Sequence, residues 1–129
     1  MPPKRQLIAI IDDDASVRRA LDRQINAAGY RSHAFSSAEE FLAAALWCGA
    51  ACVVCDINLG GMTGLELALH PTVTSMKLPE VLITGSADPY VEEPARLIGA
   101  AFLQKPIPPG KLLEAIVDTV GPPIADGED

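Results

Sequence analysis

A chain of 129 residues has room for one domain with a substantial buried core. Its composition, 49% apolar and 21% charged, is that of an ordinary globule and not of a disordered segment. A formal net charge of −7 argues against a nucleic-acid surface, which needs clustered Lys and Arg to meet phosphates.

Leu7 to Ile11 is an apolar run that reads as a buried strand, and it ends in Asp12, Asp13 and Asp14. Asp14 is placed to cap a helix in which Val17, Leu21, Ile25 and Ala28 recur at helical spacing. Arg18, Arg19, Asp22 and Asn26 lie opposite that stripe, and Arg18, Arg19 and Arg23 read as a solvated face. Gly29 ends the helix. Tyr30 to Phe35 is a second strand, half polar and therefore nearer an edge. In Ser36-Ser37-Ala38-Glu39-Glu40 the Ser-x-x-Glu capping box occurs twice, opening a helix that runs to about Leu46.

The longest uncharged apolar stretch, Phe41 to Cys55, falls short of the roughly 18–20 residues of a membrane span, and Gly49 divides it. It reads as a helix end, a turn and a buried strand, Ala51 to Asp56. Met1 to Gln6 is polar and the apolar run after it is short, so no signal peptide is read and a cytoplasmic location is expected. Cys48, Cys52 and Cys55 are an odd number, which speaks against a disulfide framework. Cys52 and Cys55 lie inside the apolar strand and read as small buried hydrophobes, not as a redox or zinc pair.

A third helix begins near Gly64 with Leu65 and Leu69 on one face, and Pro71 cuts it short. Val81 to Ile83 is the fourth strand, followed by Thr84-Gly85-Ser86. Asp88-Pro89 is a helix start, but Pro94 follows five residues later and Gly99 closes the segment. The pattern predicts a short fourth helix, starting near Pro94 or kinked there, after an irregular stretch. Phe102 to Gln104 is the fifth strand and ends in Lys105-Pro106. Pro108-Pro109 precedes a last helix with a buried stripe of Leu112, Leu113, Ile116, Val117 and Val120, stopped by Gly121-Pro122-Pro123. Residues 1–121 form the domain, and residues 122–129 are an acidic tail too short to fold.

Strands alternating with about five helices predict an α/β fold, a doubly wound (βα)5 sandwich around a five-stranded parallel sheet. Such sheets bind ligands at the carboxyl ends of their strands. Asp12, Asp13 and Asp56 meet there, and three close carboxylates favour a hard divalent cation. Mg2+ suits them because it needs only one or two direct carboxylates beside waters and a phosphate oxygen. Lys105 adds a point charge for an anion or for Asp56, and Thr84 offers a hydroxyl to a phosphoryl oxygen. The loop from Asn58 to Gly64 can turn backbone groups toward the ion. Together these groups describe attack of Asp56 on a phosphoryl group, a reaction governed by positioning and electrostatics. His33 lies in a strand pattern and His70 at a helix end beside a proline, and both read as structural or exposed.

From Leu7 to about Val120 the chain resembles a response-regulator receiver domain of two-component signalling. The matching pieces are Ile10-Ile11-Asp12-Asp13-Asp14, Val54-Cys55-Asp56-Ile57-Asn58-Leu59, Gly61-Met62-Thr63-Gly64-Leu65-Glu66-Leu67, Leu82-Ile83-Thr84-Gly85, Gly99-Ala100 and Phe102-Leu103-Gln104-Lys105-Pro106. The resemblance implies a flavodoxin-like fold in which Asp56 is phosphorylated by a histidine kinase or a histidine phosphotransfer protein. It implies that Asp13 and Asp56 ligate Mg2+ directly, Asp12 through water and Asn58 through its main-chain oxygen. Lys105 then contacts the phosphoryl oxygens, while Thr84 and Phe102 act as the switch. They alter the face of the fourth helix, fifth strand and last helix, which would meet a downstream protein or a second, phosphorylated copy. A cis Lys105–Pro106 bond is also implied.

The chain departs from that family at three places. Gly60 stands where proline is usual and is expected to loosen its turn, the segment from Thr84 to Lys105 is one residue short, and Pro94 falls in the fourth helix. Two rival readings follow from the same residues. A phosphatase of the haloacid-dehalogenase type wants a second Asp two residues after the nucleophile, where this chain has Asn58. A degenerate receiver serving only for docking is disfavoured by the intact acidic, Thr and Lys positions.

Overall fold

Four apolar runs and one half-polar strand at the edge, each followed by a helix, assemble into one parallel sheet. The computed structural model describes residues 5–85 and 89–124, with the backbone alone at 89–92. In chain order the elements are β1 (Leu7–Ile11), α1 (Ala15–Ala27), β2 (Arg31–Phe35), α2 (Ala38–Cys48), β3 (Ala50–Asp56), α3 (Gly64–Ala68), α4 (Pro71–Met76), β4 (Glu80–Thr84), α5 (Pro89–Leu97), β5 (Ala101–Gln104) and α6 (Lys111–Val120). The sheet order is β2-β1-β3-β4-β5 with every pair parallel. The chain thus reverses its direction of winding between β1 and β3, and both strands end in aspartates.

Alternation along the strands sorts the core into two layers. Ile8, Ile10, Cys52, Val54, Val81 and Ile83 point to α1 and α6, where Leu21, Ile25, Leu112 and Ile116 cover them. Ala9, Ile11, Val53, Cys55 and Leu82 point the other way, against Phe41, Leu67, Val73 and Ala95 of α2 to α5. Cys52 and Cys55 therefore lie in different layers, and burial pushes the Cys52 thiol up to about 12 and Cys55 well above the usual thiol range. Neither supplies a thiolate, as a redox pair requires. Among the described residues no helix is long and apolar enough to cross a membrane.

Several local expectations are corrected. Pro71 does not merely stop α3; it opens α4, because proline at the first helical position forfeits no bond and His70 Nδ1 accepts from the Thr72 amide at 3.1 Å. On α3 Leu67 is fully buried and Leu65 packs partly buried against the core, while Leu69 is exposed at the helix end. Along α6 the buried stripe narrows to Leu112 and Ile116, and Val117 faces solvent.

The expected start of the fourth helix near Pro94 is overturned, since α5 begins at Pro89 and continues past Pro94 to Leu97. A proline there loses one bond, to the carbonyl of Tyr90. The turn that follows is secured by Ile98 N–H on the Pro94 carbonyl at 3.2 Å and by the complete burial of Ala95. Asp88, the expected cap of that helix, and residues 125–129 of the expected tail lie outside the described residues.

β4 starts one residue before its apolar run, at Glu80, whose carboxyl is buried with no hydrogen-bond partner on either oxygen among the described residues. Burial pushes this acid from 4.5 up to about 8. The folded chain then holds a proton that the unfolded chain has released, so stability falls as pH rises between those two values and levels off above them. Glu80→Leu removes that dependence. Its advantage over wild type in urea unfolding should grow by about 1.4 kcal/mol per pH unit across the window.

Candidate functional site

The carboxyl end of β3 delivers Asp56 to a buried position beside the ends of β1 and β4. Its Oδ2 lies 3.0 Å from Lys105 Nζ, and its Oδ1 accepts the Asn58 amide at 2.9 Å. Lys105 reaches it from just past β5, held by its own amide on the Thr84 carbonyl at 2.7 Å. The Lys105–Pro106 peptide is cis, as expected. Burial pulls the Lys105 ammonium down, but the hydrogen bond and charge of Asp56, with Asp12 and Asp14 behind it, outweigh that and leave it raised.

Asp12 is buried at the end of β1, and its Oδ1 accepts the Asp14 amide at 2.9 Å. Burial raises its pKa, and the charges of Asp56 and Asp13 add to the effect against the opposing Asp14 amide and Lys105. Asp13 is exposed, and Asp14 caps α1 through Ser16 and Val17. Thr84 is buried at the end of β4, one residue past the Asp56–Ile83 pair. Asn58 is exposed. Phe102 pairs with Leu82 across the sheet and is half-buried against the α2–α5 layer.

The loop after Asp56, which Gly60 was expected to loosen, is tied from several sides. Glu39 Oε2 of α2 accepts the Met62 amide at 3.2 Å, Gly64 N–H meets the Ile57 carbonyl at 3.1 Å, and Thr63 with Glu66 closes a capping box. Gly64 is required by space, because a Cβ there would sit 2.8 Å from the Asp56 carbonyl oxygen.

Two contributors were not read from the sequence. Arg18 is not part of a solvated face; it is half-buried and its Nη1 donates to the Asp12 carbonyl at 2.7 Å. The signal was its spacing, one helical turn after the capping Asp14. Glu39 looked like a capping residue, and only the fold brings it to a loop 23 residues away. The histidines are structural, His33 stacking on Phe35 and His70 capping α4.

Among the described residues no three His, Cys, Asp or Glu side chains converge into a ready metal cage. The donor chemistry nevertheless fits Mg2+, which needs few direct carboxylates; burial first, and then the charges of Asp56 and Asp13, raise Asp12, and such a cation would offset both.

The sequence model described as the response regulator receiver domain matches residues 8–117. The chain belongs to this family. The transcriptional regulatory protein FixJ of Bradyrhizobium diazoefficiens is 32% identical over 88% of this chain and 56% of its own length. Nodulation protein W of the same organism is 32% identical over 88% of this chain and 50% of its own. This receiver domain thus spans about half the length of those curated relatives. A response regulator receiver protein from Pseudomonas putida superimposes with a TM-score of 0.81 at 25% identity, over 90% of this chain and 98% of that one.

Gly64→Ala tests how tightly the receiver's loop is packed on the Asp56 backbone. The added methyl meets main-chain atoms that cannot rotate away, so urea unfolding should show a loss of about 1–3 kcal/mol.

Proposed function

We propose that this receiver domain takes a phosphoryl group onto Asp56 from the phosphohistidine of a histidine kinase or phosphotransfer protein. The observation that carries the reading is the Asp56 carboxylate, buried at a strand end and 3.0 Å from a lysine ammonium, with a second buried aspartate beside it. The Asn58 amide orients Asp56 Oδ1. A carboxylate oxygen forms the new P–O bond while the P–N bond to the donor imidazole breaks, and the imidazole leaves with a proton from solvent. Lys105 moves from the carboxylate to a phosphoryl oxygen, so its charge stays with the negative group throughout.

Asp13 and Asp56, with the Asn58 main-chain oxygen, would hold Mg2+, and Asp12 would act through water, as the resemblance to receiver domains implies. When bound, the cation offsets phosphoryl charge in line with that of Lys105. Thr84 meets the phosphoryl group, and Phe102, half-buried against the α2–α5 layer, changes rotamer with it. The altered surface of α5, β5 and α6 is then read by a protein partner in the cytoplasm.

Asp56→Asn should abolish labelling by acetyl phosphate or a kinase, and the wild-type label should be alkali-labile as an acyl phosphate is. Full labelling of the variant would remove Asp56 from the reaction.

Chelation of divalent cations should stop labelling. Asp12→Ala should weaken Mg2+ by roughly 10–100-fold as a water-linked partner does, and Asp13→Ala by more. Magnesium titrations followed by labelling rate check the order.

A further inference from the structure

Arg18 stands in the first turn of α1, with Asp12, Asp13 and Asp14 shortly before it. A guanidinium so placed would ordinarily pair with a carboxylate. Among the described residues it makes no ion pair, and its Nη1 donates instead to the Asp12 main-chain carbonyl at 2.7 Å. Arg18 is half-buried, whereas Arg19 beside it is exposed. The helix start that carries Arg18 is fixed on the same turn. Its own amide donates to the Asp14 carbonyl at 3.0 Å, and Asp14 Oδ1 accepts the Ser16 amide at 2.8 Å.

The carbonyl that Arg18 engages belongs to the planar peptide joining Asp12 to Asp13. Asp12 is thereby held at three points. Its amide donates to the Phe35 carbonyl at 3.2 Å, its Oδ1 accepts the Asp14 amide at 2.9 Å, and its carbonyl accepts from Arg18. Asp13 is exposed, so no packing around its side chain aims it. What aims it is the plane of the peptide before it. A charged donor holds that plane more firmly than a neutral one.

We propose that Arg18 is a positioning residue for the divalent cation, holding the Asp12–Asp13 peptide so that the Asp13 carboxylate is ready beside Asp56. The inference rests on the reading of Asp13 and Asp56 as the groups that hold Mg2+. Arg18 itself touches neither the cation nor the phosphoryl group. Its effect runs against its charge. By Coulomb's law alone, removing a positive group from beside an acidic cluster tightens Mg2+. Removing a group that orients a metal ligand weakens it. The sign of the change separates the two roles.

Mg2+ titrations of the unphosphorylated chain, followed by amide NMR, read that sign. Arg18→Met keeps an apolar stem and loses the donor, so its Mg2+ Kd should rise by about 10–100-fold. Arg18→Gln gives the same reading should Arg18→Met lose its fold, which urea unfolding without metal checks. Arg19→Met removes the same charge from an exposed neighbour and should leave the Kd within about twofold of wild type. Labelling by acetyl phosphate should need correspondingly more Mg2+ in Arg18→Met and still reach the wild-type maximum at saturation. A merely structural Arg18 would lower the urea midpoint and leave the Kd of the folded chain alone. Unchanged or tighter Mg2+ in the folded Arg18 variant, or an equal loss in Arg19→Met, would overturn the inference. Failure of the wild-type chain to bind Mg2+ would overturn the metal reading itself, and this inference with it.

Discussion

The contact between Lys105 and Asp56 links the edge of the sheet to its centre, from just past β5 to the end of β3, with Thr84 on β4 between them. Its two partners are unequally buried, the Asp56 side chain at 9% exposure and that of Lys105 at 37%. The carboxylate carries most of the desolvation cost, and removing the lysine would leave it uncompensated. Every feature around the site keeps that pair in register. The Thr84 carbonyl fixes the Lys105 backbone, and the Asn58 amide fixes the second carboxylate oxygen. The hydrophobic layers on both faces of the sheet hold the three strand ends level.

Around this pair the polar groups are arranged so that negative charge is crowded but never orphaned. Asp12 gives one oxygen to a backbone amide and has its carbonyl drawn by Arg18, while Asp14 is spent on the helix cap. Asp13, like Asp14, is exposed. The site is thus tied by hydrogen bonds on its buried side and open to solvent at Asp13. Receiver-family membership rests on the whole span from 8 to 117, and the local hydrogen bonds explain why these residues can do chemistry at that edge.

Much of this arrangement could be read in the chain. Strand runs closed by Asp, Thr and Lys announce themselves, because both the apolar run and the residue that ends it are local. The capping signals of α1 and α2 were equally local, while the Thr63–Glu66 box of α3, just as local, was passed over. What escaped was set by distance or by balance. Glu39 meets Met62 only through the fold, and Arg18 looks solvated until the β1–α1 turn is drawn. Pro94 was weighed by its lost hydrogen bond alone, and the burial of Ala95 beside it could not be seen. Glu80 sits where a strand was expected to begin later, and a charged residue at such a boundary reads as solvent-facing.

One small clasp has a further consequence. Gln6 Nε2 donates to the Val120 carbonyl at 2.6 Å, and Tyr30 OH donates to the Gly121 carbonyl at 2.8 Å. The first residues of the sheet and the last turn of α6 therefore leave the fold side by side, at the amino edge of the strands and away from Asp56. With the two exits adjacent, the chain can be joined to other sequences from either side, or cut and re-spliced elsewhere on its surface, without stretching any element of the fold. Such a body behaves as a cartridge whose working end faces outward whatever is attached behind it.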